Sequence, residues 1–332
     1  MHLVEDIYND DIIMSPARNG YGEGLVEIGR ENPNVVVLCG DLTDSTRTSY
    51  FKKEFPDRFY EMGIAEQNMV AVACGLSLVG KIPYAATYGA FIPGRSFDQI
   101  RVSAGYNNSN VKLSGTHVGI SVGPDGATHQ MMEDIAMMRA LPGFTVIAPC
   151  DHEETRKATI AAGKITGPVY LRFGRDKIPV ITTKDTPFEI GKANILRDGS
   201  DVAIVANGSL VYEALIAANE LEKQRVHCMV INMHTVKPLD HKTLTYCARK
   251  CGAVVSAEEH QVNGGLGGAI AESLARNHPV PQEFIGMPDK YGESGKPREL
   301  MKKYGMSSEA IISAVKRLLT RKEKRRRIIE VM

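Results

Sequence analysis

Long apolar runs are missing from this 332-residue sequence. No stretch of 18 or more consecutive apolar residues occurs, which excludes a helical membrane span. An excess of one charge is missing too. The 40 basic residues meet 39 acidic ones, for a formal net charge of +1. No global field therefore draws the chain to nucleic acid or to an anionic membrane, and any anion it binds must be met by locally placed cations. The opening residues, MHLVEDIYNDDIIM, are acidic and carry no basic region followed by an apolar stretch. They do not read as a signal peptide, so the expected compartment is the cytoplasm. Cysteine is scarce. Of the six, Cys39, Cys74 and Cys228 sit inside apolar runs and read as small core residues. Cys247 and Cys251 lie close together, but no second ligand pair accompanies them. Reduced structural thiols are expected there, and no metal site.

What is present is an ordinary globular composition, 43% hydrophobic and 24% charged, in a chain long enough for two domains. Strand-like segments at 35–39, 111–113, 145–148 and 169–173 alternate with helical ones at 65–79, 130–139 and 153–163. That is the pattern of a parallel α/β sheet. The 65–79 helix is apolar on nearly every face and is expected to be buried. A polar stretch with prolines and threonines, roughly 176–191, breaks the pattern. A second α/β unit then begins, with strands at 202–206, 228–231 and 253–256 and a helix at 214–223. The expected organisation is an N-terminal extension (1–14), a first domain (15–178), a linker (179–191), a second domain (192–320) and a basic tail (321–332). The tail's KEKRRR reads as a solvated helix end rather than a nucleic-acid or membrane patch. The GGLGG at 264–268 lacks both the Walker lysine and the dinucleotide fingerprint, and reads as a tight strand-to-helix turn.

In open α/β sheets, ligands bind outside the carboxyl ends of the strands. Asp41 follows VVVLCG, His117 follows VKLSGT and Arg175 follows VYLRFG, so a carboxylate, a histidine and an arginine are expected along one edge. Two further segments are dense in unusual residues. In GIAEQNM (63–69), Glu66 opens an otherwise apolar helix. On position alone, an acid in a first turn complements the helix dipole and needs no function. The other reading is a buried carboxyl kept for proton transfer. In GPDGATHQ (123–130), Gly123, Pro124 and Gly126 form a tight turn. His129 is expected to begin the next helix, with Asp125 four residues before it.

Taken in order, GIAEQNM, PYAATYGAF, GPDGATHQ and APCDHEE, followed by SAEEHQVNGGLGGAIAE (256–272), resemble the transketolase family. The chain is similar to its pyrimidine-binding and carboxyl-terminal domains, from about residue 16 to residue 319. The resemblance implies two α/β domains with parallel sheets, thiamine diphosphate as cofactor, and transfer of a two-carbon ketol unit from a ketose phosphate to an aldose phosphate. Glu66 matches the catalytic glutamate that hydrogen-bonds N1′ of the aminopyrimidine. Tyr88 and Phe91 match the aromatics that pack on that ring. Asp41 and Ser45, in GDLTDS, match a segment near cofactor and sugar. His129 matches a histidine at the substrate's reacting oxygens, and Asp125 a sugar-hydroxyl ligand. Arg18, His117 and Arg175 match a phosphate-binding set. A phosphate carries about two negative charges near pH 7, and a guanidinium can meet it as a bidentate fork. Arg172 competes with Arg175. An offset of three places the two on opposite faces of a regular strand, so only one should point at the site.

One part of the family's pattern is missing. The Gly-Asp-Gly motif, followed about two dozen residues later by an Asn pair, holds magnesium and the cofactor's diphosphate. No Gly-Asp-Gly occurs in this sequence. The resemblance therefore implies an N-terminal transketolase subunit that carries the motif and binds most of the Mg2+ contacts, and a two-plus-two hetero-oligomer. The related readings are a deoxyxylulose-phosphate synthase relative and the β subunit of a 2-oxo-acid dehydrogenase. A catalytically silent assembly subunit is the reading from another class.

Overall fold

The computed structural model describes residues 2–9 and 11–331, with side chains as far as Lys322. Its main sheet has seven strands in the order Thr235–Lys237, Thr145–Ile147, Val169–Phe173, Lys112–Thr116, Ile82–Tyr88, Val35–Cys39 and Phe59–Glu61. The last six are parallel. Every residue of Val35–Cys39, Lys112–Thr116 and Val169–Phe173 is buried, as expected for parallel strands covered on both faces. The second sheet has the order Gln282–Met287, Val254–Gln261, Val202–Ala206, Cys228–Asn232 and Asn194–Arg197, with only the last strand antiparallel. The expected α/β class, with two sheet-containing units, is what the chain forms.

The two units share more than a linker. Thr235–Lys237 comes from the second half of the sequence, yet it closes the edge of the first sheet antiparallel to Thr145–Ile147. The N-terminal segment and the 179–191 connection, set apart on sequence, pair with each other. Met14–Pro16 runs antiparallel to Lys177–Pro179, Leu3 bridges Thr182, and the Val4 amide donates to the Ile181 carbonyl at 3.1 Å. Asp151 pins the connection from below, accepting from the amides of Ile181 and Thr182 at 2.8 and 2.6 Å.

Three local expectations change. The helix Glu66–Leu78 is not buried all round. Met69, Val70, Ala73 and Cys74 are buried, whereas Leu78 is 76% exposed. The helix lies on the sheet at Ile82–Tyr88 and against the 90–106 segment, while Leu78 at its end faces solvent. The helix expected at 130–139 is Asp134–Ala140, because Met131 is drawn into a parallel bridge with Val118 and its carbonyl accepts from the Gly119 amide at 2.7 Å. His129 therefore lies in a turn and does not begin a helix. All six cysteines are free and buried, and no group of three or more metal-binding side chains occurs among the described residues. No described helix is long and apolar enough to cross a membrane. The KEKRRR reading falls beyond the described side chains except at Lys322, whose Nζ donates to the carbonyls of Asp201 and Cys251 at 2.7 and 2.6 Å.

Candidate active site

The first sheet aims its parallel strands at one edge, and the candidate residues follow their carboxyl ends. Asp41 lies past Val35–Cys39, Tyr88 ends Ile82–Tyr88, His117 lies just past Lys112–Thr116 and Arg175 just past Val169–Phe173. Arg18 reaches the same edge from the start of the helix Ala17–Glu31. That helix is seated closely on His152–Lys164: a Cβ on Gly20 would lie 1.9 Å from the His152 carbonyl oxygen.

Glu66 is the first residue of its helix and only 3% exposed. Its partner is Arg95, whose Nη1 lies 3.0 Å from each carboxylate oxygen. The Arg95 side chain is half-exposed and its guanidinium sits 4.3 Å from the centre of the Phe91 ring. Phe91 and Tyr88 stack with centroids 5.9 Å apart and planes within 19°. Tyr88 also stacks on His117 at 3.9 Å, and the His129 ring meets Phe91 edge-on at 5.7 Å. A carboxylate, two flat rings and two imidazoles thus form one continuous cluster of contacts, with Arg95 between Glu66 and Phe91.

Beside it stands a cationic cluster. Arg18 Nη1 lies 3.4 Å from His117 Nε2 and donates to the Ser45 carbonyl at 2.8 Å. Arg47 and Arg175 are near enough to oppose its charge: burial first, then these two, pull the Arg18 guanidinium below its ordinary range. His117 is 1% exposed, and its Nδ1 meets the Thr116 hydroxyl at 2.9 Å. Burial, then Arg18, Arg175, Arg47 and His129, pushes its pKa down to about 3, so the imidazole is neutral at physiological pH. The carboxylate balancing this cluster is Asp125, 3.6 Å from Arg175. Among the described residues Arg18 Nε is buried without a hydrogen-bond partner. Accumulated positive charge and an unspent donor suit an anion.

Arg172 and Arg175 part company, but the strand ends at Phe173, so alternation along it does not reach Arg175. Arg172 is buried in an ion pair with Asp134 at 2.9 Å and donates to the Glu259 carbonyl at 2.6 Å. Arg175 lies beyond the strand end, donates to the Val122 carbonyl and turns toward Arg18 and His117. Asp41 and Ser45 lie at the rim. The Asp41 amide donates to Glu61 Oε1 at 2.7 Å, while Ser45 offers only its carbonyl to Arg18. Sequence reasoning did not find Arg95 or Arg47. Arg95 is seven residues past Tyr88 in a proline-containing stretch without helical period. Arg47 sits at a backbone φ of 65°, and nothing in its sequence neighbourhood marks it.

The transketolase pyrimidine-binding domain family matches residues 15–180 and the transketolase C-terminal domain family matches residues 191–311, so the two α/β units are of that class. The chain belongs to the transketolase family. A Methanocaldococcus jannaschii protein, named provisionally as a transketolase C-terminal section, is 44% identical over 90% of this chain and 94% of its own length. A 6-deoxy-6-sulfo-D-fructose transketolase subunit of Clostridium sp. (strain MSTE9) is 40% identical over 92% of this chain and 95% of its own. A solved structure described as a split gene transketolase, inactive beta4 tetramer, superposes with a TM-score of 0.87 at 47% identity, covering 92% of this chain and 98% of that one.

Proposed function

We propose that this chain is the pyrimidine-binding half of a divided transketolase. It moves a two-carbon ketol unit from a ketose phosphate to an aldose phosphate together with a separate N-terminal subunit. The observation that carries the reading is the placing, along one sheet edge, of Glu66 and the Tyr88–Phe91 rings next to the cluster of Arg18, Arg47, Arg175 and His117. A phosphorylated sugar needs the cations; a planar heterocycle needs the rings and the carboxyl.

The chain's groups suit one end of thiamine diphosphate and not the other. Tyr88 and Phe91 offer flat faces to an aminopyrimidine, and Glu66 holds or shares a proton at its N1′. Bound, the cofactor supplies the carbanion chemistry of ketol transfer. Arg18, Arg175 and His117 hold the sugar's phosphate, Asp125 a sugar hydroxyl, and His129 orients the reacting oxygen. Asp41 and Ser45 line the approach. The diphosphate and its Mg2+ belong to the partner subunit with the Gly-Asp-Gly…Asn-Asn motif. Magnesium needs several oxygen ligands, and that motif would supply them. The partner's expected seat is beside the Glu66 helix, where Ile64 before it, Leu78 at its end and Val79 just after it are 75%, 76% and 73% exposed. Apolar groups left in water in this way mark an interaction surface, and two copies of each subunit would complete the assembly.

The test is reconstitution. The purified chain, mixed with thiamine diphosphate and Mg2+, is expected to show no turnover. Adding the motif-bearing subunit is expected to give ketol transfer from a ketose phosphate to an aldose phosphate. Turnover by the chain alone overturns the divided-enzyme reading, and a product that requires pyruvate moves the assignment to the synthase type.

A further inference from the structure

We infer that Glu259, a residue of the second domain, positions the substrate-facing segment 117–130 of the first. Its catalytic consequence rests on the ketol-transfer reading; the positioning itself does not. Glu259 lies on Val254–Gln261 and is 5% exposed. Its two carboxylate oxygens serve different elements. Oε1 accepts from the Ser121 amide at 2.7 Å, and Oε2 from the Ser209 hydroxyl at 2.8 Å. Ser121 stands midway between His117 and Asp125, in the turn that leads on to His129. A residue of the second domain therefore fixes the backbone between three groups of the candidate site.

The approach is close. Gly119 has a φ of 82°, and a Cβ there would lie 2.2 Å from Glu259 Oε1, so the segment is shaped around this carboxylate. Between Ser121, Gly208, Ser209 and Glu259 there remains a cavity of about 20 Å³, room for about one water. The far end of the segment is held the same way. Gln130 Nε2 donates to the Glu293 carbonyl of the second domain at 2.9 Å, and to the Ile120 and Gly123 carbonyls at 3.4 and 3.3 Å. A buried carboxylate is costly where an apolar side chain would pack. Its two directed bonds do what packing cannot: they fix a loop's backbone to a neighbouring domain.

The experiment compares Glu259→Ala, Glu259→Gln and Gln130→Ala with the full-length parent. Hydrogen exchange is read on the chain alone, and KM and kcat on the complex reconstituted with the N-terminal subunit. Glu259→Ala is expected to speed exchange of the Ser121 amide about tenfold or more, while amides of Val202–Ala206 stay unchanged, the mark of local rather than global opening. Glu259→Gln, whose amide oxygen still accepts from Ser121, should stay within about threefold. In the complex, Glu259→Ala should raise KM for the ketose phosphate about tenfold, with a smaller change in kcat, because the segment's side chains are misplaced rather than removed. Glu259→Gln should restore the parent KM. Unchanged Ser121 exchange in Glu259→Ala, or a Gln variant as impaired as the Ala variant, overturns the proposal. If Glu259→Ala does not fold, Gln130→Ala carries the same test from the other end. It supports the proposal if exchange rises across the segment and overturns it if not. A parent complex without ketol transfer sinks the functional reading, while the exchange result still decides whether Glu259 holds the segment.

Discussion

Arg95 donates through one nitrogen to both carboxylate oxygens of Glu66, at 3.0 Å each. The carboxylate is nearly out of water while the arginine is half in it. The pair thus meets the buried carboxylate of an otherwise apolar helix face with a half-exposed cation. Arg95→Met should destabilise the isolated chain by about 1 kcal/mol, the scale of a partly solvated pair. Arg95→Glu should cost more by setting like charges together. The gap between the two, read by thermal melting, should narrow as salt is added. Melting temperatures equal to the parent's in both variants would show that the pair holds nothing.

Glu66→Gln keeps the shape of the side chain and removes its capacity to take a proton. Ketol transfer by the reconstituted complex should fall about 10²-fold or more, the usual scale of acid–base participation. The melting temperature of the chain should move by no more than a few degrees. Full activity in this variant would favour the silent-subunit reading.

Arg172 and Arg175 are three residues apart and should fail in opposite ways. Arg172→Met leaves Asp134, fully buried, without its cation, at a cost of about 3–5 kcal/mol. Arg175→Met removes a part-exposed side chain, so stability should change by about 1 kcal/mol or less, while KM for the sugar phosphate rises about tenfold. Denaturant melts and steady-state kinetics separate the two.

The fold keeps His117 neutral down to about pH 3, whereas in the unfolded chain it titrates near 6.5. Between these values the unfolded state binds more protons than the folded one. Stability therefore falls as pH drops through this window and is fully present above it. Carboxylates contribute their own acid loss, so the measurement is a difference. His117→Asn tolerates the positive φ of 52° at this position. It should lose about 2 kcal/mol less than the parent between pH 7 and pH 4.5. A parent and variant with parallel pH profiles would place the titration elsewhere. The imidazole resonances of the parent should likewise stay at their neutral positions through pH 5.

The segments that stand alone physically were legible. Val35–Cys39, Val169–Phe173 and Val202–Ala206 lie where the strand-like apolar runs place them. Glu66 begins its helix where a first-turn acid is expected. The edge shared by Asp41, His117 and Arg175 follows from parallel strands alone. Boundaries moved where a distant partner intervened. The start of Asp134–Ala140 slipped because Met131 bridges Val118, a contact that no local pattern carries. Thr235–Lys237 joined the other sheet for the same reason.

Glu66 shows where the division falls. Its place at the head of an apolar helix, the ordered motifs around it and the missing Gly-Asp-Gly are all properties of the sequence, because helix period and residue identity are local. That Arg95 closes it, that Arg47 joins Arg18 and Arg175 around a neutral His117, and that Glu259 reaches from the second domain to hold Ser121 were decided only in three dimensions. Each depends on residues 29 or more apart in sequence being brought together, and such meetings are set by how the sheets pack rather than by any spacing along the chain.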